Sequence, residues 1–289
     1  MTTTAPEQPV PFATASQPRP LGDGTFTATL RSEWSISGHP HGGFVAALIA
    51  RTAMQVAAEH EGVNGDPIAV STEFLRATSL GPVLLRTDVR KVGRQTSVIA
   101  VNIEQRGRSC VEAKVVIGRL PTQRAAWVDL PVMPPEPPAN ALPLSEELPG
   151  AGPAVFRLAQ GCDVRMDSSA AAMLVRKPIR PTPPGARDRQ PAPRMRLWAR
   201  PRSADVDVYF AILAGDVNPP MPFLNGRTGW APSVQMTALV RGRPIPGWLR
   251  IQVDSRAVGG SWFDSDATVL DSSGQLVCQA RQLAITPGP

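Results

Sequence analysis

The sequence predicts an α+β protein of two similar units, each a long helix wrapped by an antiparallel sheet. Three observations predict it. One order of elements, a strand, then an apolar helix-like run, then a meander of strands, occurs twice along the chain. A turn-then-strand pattern closes each half, Gly107 to Ile117 in the first and Gly274 to Ile285 in the second. A proline-rich stretch separates the halves, with Pro131, Pro134-Pro135, Pro137-Pro138 and Pro143.

In the first unit Thr25 to Leu30 reads as a strand. His39-Pro40-His41-Gly42-Gly43 then leads into Phe44 to Met54, a run of strong helix formers that is apolar nearly all round, as a buried helix should be. Strands follow at Ile68 to Leu75, Pro82 to Val92, Thr96 to Gln105 and Ser109 to Leu120. Ser79-Leu80-Gly81, Gly93-Arg94 and Arg106-Gly107 mark the turns between them. In the second unit a strand pair is expected within Val155 to Arg176 and Arg196 to Arg200, then a helix at Asp205 to Ala214. Strands are expected at Val234 to Val240, Trp248 to Arg256, Ser261 to Leu270 and Gln275 to Thr286. The expected division is a disordered leader over 1–20, a first unit over 21–120, a linker over 121–149 and a second unit over 150–289. Lys177 to Arg194 reads as a long hairpin loop inside the second unit.

Composition narrows the function classes. The 289 residues are 42% hydrophobic and 19% charged, and no apolar run approaches the roughly 20 residues of a membrane span. The N-terminus lacks a basic and an apolar region, so no signal peptide is read and a cytoplasmic location is expected. Cys110, Cys162 and Cys278 are odd in number and lack metal-site spacing, so neither a disulfide framework nor a metal is expected. The net charge of +6 comes from scattered arginines without a nucleic-acid-binding motif. They read as a solvated surface, with attraction of an anionic, phosphate-bearing ligand as the alternative.

Candidate chemistry lies at few places. No nucleophile elbow, HExxH or Walker loop occurs. His39 and His41 could form a metal pair but lack an evident third ligand, so they read as loop histidines; His60 reads as a partner of a helix C-terminus. His41-Gly42-Gly43 ahead of a buried helix is either a tight turn or a place where a ligand carbonyl meets free N–H groups. Asp216 after an apolar run, Ser233 at a strand start and Gln282 within the last strand are each explicable as structural residues. Together they supply a carboxylate, a hydroxyl and an amide, enough to hold a water and take its proton.

Several of these segments carry a resemblance. They are His39 to Gly43, Val70 to Arg76, Ala214-Gly215-Asp216, Pro232-Ser233-Val234, Arg243-Pro244 to Trp248-Leu249, and Gly274 to Val277 running on to Gln282. On them the chain resembles the acyl-CoA thioesterase family with a double hotdog fold, the type II thioesterase group. The resemblance covers nearly everything outside the leader and linker. It implies hydrolysis of an acyl-CoA to free acid and CoA, with Asp216, Ser233 and Gln282 activating the water. It also implies a backbone donor for the oxyanion at Gly43, with His41 and Gly42 beside the substrate, no cofactor, and a homo-oligomer. Three features depart from the family: Ser233 stands for the type member's threonine, His39-Pro40-His41 replaces glycine–asparagine variants, and residues 177–194 look inserted. Other hotdog chemistries, dehydration, isomerisation or cyclisation of an acyl thioester, are the alternative, as is a non-catalytic acyl-binding module. Pairing the two halves sets Ile68 and Lys114 against Ser233 and Gln282, so one working site per chain is expected.

Overall fold

The computed structural model describes residues 9–60, 63, 65–123, 125–147, 155–175 and 193–287. The first half runs α1 (Phe12–Ala15), β1 (Arg19–Gly22), β2 (Thr25–Leu30), a 3-10 turn at Ser32–Trp34, β3 (Ser35–Ile36) and β4 (His39–Pro40). It continues with α2 (Gly42–Ala58), β5 (Asp66–Phe74), β6 (Gly81–Lys91), β7 (Thr96–Gln105) and β8 (Arg108–Gly118). The second half runs β9 (Leu142–Pro143), a 3-10 turn at Arg157–Gln160, β10 (Cys162–Met166), α3 (Ser168–Val175), β11 (Arg194–Pro201) and α4 (Val208–Ala214). After a 3-10 turn at Met221–Asn225 come β12 (Ser233–Val240), β13 (Leu249–Asp254), β14 (Val258–Gly259), β15 (Trp262–Leu270) and β16 (Leu276–Ile285).

The strands follow their sequence patterns. In β7, Ser97, Ile99, Val101 and Ile103 alternate inward with polar residues outward, the period of a half-buried strand. Arg106 and Gly107, both at positive φ, turn β7 into β8 as a two-residue hairpin should. Helix α2 is buried along most of its 17 residues and packs against β5, β6, β7 and β8.

The two sheets are not separate. Antiparallel pairing of β5 with β12 joins them into one 14-stranded sheet, with Ser71 directly opposite Thr237. The second helix is also shorter than expected, 7 residues against the 17 of α2. Gly215 closes α4, and Pro219-Pro220 just beyond cannot continue it. The segment expected as a strand pair, Val155 to Arg176, holds one strand, β10, followed by α3, whose Ala170-Ala171-Ala172 favours helix. No helix of the described residues is long and apolar enough to cross a membrane.

Two segments read as unstructured are docked. Residues 9–20, expected to be disordered, carry α1 and β1. Phe12 is 3% exposed and packs edge-on against Trp34, Phe44 and Phe210. Glu33 accepts the Val10 N–H at 3.1 Å, and the Trp34 indole donates to the Val10 carbonyl at 3.2 Å. The proline-rich linker lies across the outer face of β11 and β13. There Trp198 donates to the Pro134 carbonyl at 2.9 Å and Arg250 to the Met133 carbonyl at 2.7 Å. Met133, Trp198 and Trp248 form a small second core beneath it. The expected Lys177–Arg194 loop falls outside the described residues except at its end, where Arg194 opens β11.

Candidate active site

The site begins where α2 meets α4. His41 caps α2: its Nδ1 accepts the Phe44 N–H at 3.3 Å, as Asp207 accepts the Phe210 N–H at the start of α4. With Nδ1 an acceptor, Nε2 carries the proton and donates to the Asp216 main-chain carbonyl at 2.9 Å. The ring is 3% exposed and ties the first half to the turn bearing Asp216. The helices approach so closely that a Cβ on Gly43 would lie 2.8 Å from the Leu213 carbonyl oxygen and 2.9 Å from the Asp216 Cβ. Only glycine fits there.

This approach sets the Asp216 carboxylate against the N-terminus of α2. Oδ2 accepts the Gly43 N–H at 2.7 Å, and Oδ1 accepts the Gln282 amide at 2.9 Å. The Gln282 Oε1 in turn accepts the Ser233 hydroxyl at 2.7 Å. The three side chains therefore form one chain of hydrogen bonds, serine to glutamine to aspartate. Each gets there by a local device. The inward alternation of β16 buries Gln282 between the exposed Arg281 and Leu283. A register shift in β12 between Ser233 and Gln235 turns the strand start toward the site. The turn after Gly215 places Asp216, which is 9% exposed.

The chain of bonds forms one wall of a cavity of about 330 Å³. Ile36, Val45, Phe74, Phe156, Phe223 and Phe263 supply an apolar lining, while Gly42, Asp216, Ser233 and Gln282 supply the polar wall. His39 stacks on Trp230, ring centroids 4.2 Å apart, and both line the cavity. Arg76 also lines it and is exposed.

The structure brings together Asp216, Ser233 and Gln282, and sets Gly42, Gly43 and His41 beside them. It corrects two expectations. The Gly43 N–H is not a free donor, because the Asp216 carboxylate accepts it. The Gly42 N–H, one residue earlier, has no acceptor among the described residues, as the first N–H of a helix has none within the helix. His41, expected beside the substrate, does line the cavity, yet both ring nitrogens are engaged by the protein, so it positions Asp216. The pairing of halves is also corrected. His41 with Asp207, Phe44 with Phe210 and Ser71 with Thr237 hold a common offset, and both β5 and β12 carry a register shift at the matching place. Met236 pairs with Gln282 as Val70 pairs with Val115, so the counterpart of Gln282 is the buried Val115. Lys114 is exposed on the opposite face. Ser233 likewise matches Pro67 rather than Ile68. Sequence reasoning missed Asn218, which lines the cavity two residues beyond Asp216; its setting before two prolines was the available signal.

Comparison with known proteins agrees with this architecture. The family profile described as the acyl-CoA thioesterase N-terminal domain matches residues 30–118, and that of the C-terminal domain matches residues 128–286. An uncharacterised protein of Mycobacterium tuberculosis is 37% identical over 96% of this chain and 98% of its own length. A thioesterase II candidate from Thermobifida fusca superposes with a TM-score of 0.78 at 24% identity, covering 96% of this chain and 97% of that one. A conserved protein with a hot dog fold from Alicyclobacillus acidocaldarius gives 0.74 at 19% identity, covering 96% and 98%. These two structures share the fold; the profiles give the family. The chain, its two halves matched in order by the two thioesterase domain profiles, belongs to the acyl-CoA thioesterase family.

Proposed function

We propose that the protein hydrolyses an acyl-CoA thioester to the free acid and CoA, using Asp216 as general base. The carrying observation is the Ser233–Gln282–Asp216 hydrogen-bond chain on the wall of an apolar cavity. Gln282 spends both ends of its amide on its neighbours, and so fixes the carboxylate and the hydroxyl relative to each other. The Ser233 hydroxyl donates to Gln282 and keeps lone pairs with which to accept a proton of the attacking water.

The water oxygen attacks the thioester carbon as its proton passes to the Asp216 carboxylate. The carbonyl oxygen becomes an oxyanion, and the Gly42 N–H at the positive end of α2 is its proposed donor. Collapse of the tetrahedral adduct breaks the C–S bond, and the leaving thiolate takes the proton held by Asp216 to become CoA, which restores the carboxylate. The acyl chain occupies the aromatic and aliphatic lining, and the exposed Arg76 faces the anionic end of the substrate.

Dehydration or isomerisation would call for a histidine acting on the acyl carbons. His41, the histidine beside Asp216, has neither ring nitrogen to spare. The test is thiol release from acyl-CoAs of varied length and branching, with Asp216→Asn as the control. Turnover in that variant should fall by roughly a hundredfold or more while the fold survives. Full activity in Asp216→Asn would assign the base elsewhere; loss of acyl-CoA with no thiol released would favour the other hotdog chemistries.

A further inference from the structure

The cavity closes on a buried wall. Phe156, Phe223 and Phe263 line it, yet they are only 1%, 1% and 3% exposed. A hollow that ran on past these rings would lay their surfaces open, so it ends at them. They come from separate segments: Phe156 bridges to Ile36, Phe223 lies in the 3-10 turn at Met221–Asn225, and Phe263 pairs with Ala284 across β15 and β16. All three belong to the main core cluster, where close packing leaves a ring little room to swing aside. The open side lies instead at exposed lining residues such as Leu75, Arg76 and Trp230. The space between is limited. At roughly 30 Å³ for a group the size of a water molecule, about 330 Å³ holds about eleven such groups. The attacking water fills one place, and the carbonyl carbon, its oxygen and the sulfur fill three more. About seven remain for the rest of the acyl group and the first atoms of the thiol arm.

We propose that the site takes thioesters of compact acyl groups, of at most about eight carbons, and that Phe156 and Phe223 are the specificity-determining residues that set this limit. A longer chain has no hollow to enter, and to make one it would have to push core rings out of place. The inference rests on the thioester-hydrolase reading, and binding rather than turnover tests it.

The probes are ketone analogues of acyl-CoA in which a methylene replaces the sulfur, so that no hydrolysis occurs. Their straight chains are butanoyl, hexanoyl, octanoyl, decanoyl, dodecanoyl and tetradecanoyl. Calorimetry on the full-length protein reads each dissociation constant. While added methylenes are buried, each should tighten binding by about fourfold. From octanoyl onward the gain should stop or reverse. Phe156→Ala and Phe223→Ala each remove a ring from the wall, and in at least one of them decanoyl should gain about tenfold over octanoyl. Phe156→Leu and Phe223→Leu, with a gain of about fourfold, serve where the alanine variant does not fold. Continued tightening from octanoyl to tetradecanoyl in the native protein overturns the proposal, as does failure of every analogue to bind. A break that stays at octanoyl in every folded variant takes the limit away from these rings and overturns it too. A break that behaves as expected in a protein that releases no thiol would instead reject hydrolysis while keeping the size limit.

Discussion

Gly42→Ala separates the chemistry of this site from its folding. A Cβ at residue 42 would lie 2.8 Å from the Asp216 Oδ2, 3.4 Å from the Phe74 Cζ and 3.8 Å from the Ser233 Oγ. The first distance is roughly 0.5 Å or more inside ordinary van der Waals contact. The methyl thus enters the space between carboxylate and hydroxyl where the attacking water is proposed to sit. It meets no backbone, only the end of a side chain, and alanine suits a helix at least as well as glycine does. Displacing a catalytic group by the better part of an ångström costs on the order of a hundredfold in rate. Turnover of an acyl-CoA should therefore fall by about ten- to a hundredfold, with a smaller loss of stability than in Gly43→Ala because only side-chain atoms must shift. Gly43→Ala is the contrast, because its Cβ would strike the Leu213 carbonyl and Cα at 2.8 and 3.1 Å and push α4 away from α2. That overpacking should cost roughly 1–3 kcal/mol of stability. Thiol-release kinetics and thermal denaturation of both variants read the two effects independently. Native turnover in Gly42→Ala would refute the placement of the water between Asp216 and Ser233.

Two further outcomes concern the fold. Burial pushes the Cys162 and Cys278 thiols up to about 12, with Asp163 adding to the rise at Cys162. As pH climbs above about 9 the unfolded chain sheds both protons while the folded chain keeps them, so stability should fall by roughly 1.4 kcal/mol per pH unit per thiol until the folded values are reached; denaturant titrations of the native protein and a Cys162→Ala/Cys278→Ala variant from pH 8 to 11 should differ in slope, and parallel curves would count against buried, protonated thiols. Phe12→Ala should cost roughly 3–5 kcal/mol in urea denaturation, because the ring is wedged among Trp34, Phe44 and Phe210. A loss under about 1 kcal/mol would mean that the N-terminal segment does not hold the two helix starts together.

Much of the architecture was legible because it rests on local pattern. The apolar run after Gly43, the alternation in β7 and the Arg106-Gly107 hairpin are decided within a few residues. The polar set was legible only through the family resemblance: Asp216, Ser233 and Gln282 are each explicable as structural residues, and only together do they supply a carboxylate, a hydroxyl and an amide. What failed depended on long-range contact. One phenylalanine among prolines carries no periodicity, so the docking of Phe12 on three distant aromatics was invisible. The outer-face tryptophan of β11 and Arg250 of β13 gave no sign that a proline-rich strap covers them. Matching Lys114 to Gln282 slipped the last strand by one residue, and in a strand one residue is the difference between core and solvent. That the Gly43 N–H is taken by Asp216 was not visible, because spacing reveals a helix N-terminus without revealing which acceptor has reached it first.

The corrected register explains why the halves differ in more than degree. The counterparts of Asp216, Ser233 and Gln282 in the first half are Ala50, Pro67 and Val115, all buried and none able to accept or donate through a side chain. Where α2 is capped by His41 and meets a carboxylate, α4 is capped by Asp207, which pairs with Arg51 at 2.6 Å. Arg51 also lies 4.0 Å over the Tyr209 ring and 5.6 Å over Phe12. The charge at this second helix start is thus matched within the protein, whereas the Gly42 N–H at the first has no such partner. Each half contributes what the other lacks. The first half gives the donor end of α2, and the second gives the carboxylate, amide and hydroxyl that face it. Under the proposed mechanism neither half alone holds the full set, so one hydrolytic site per chain is expected, and titration with a non-hydrolysable acyl-CoA analogue that counted two equivalent sites would refute it.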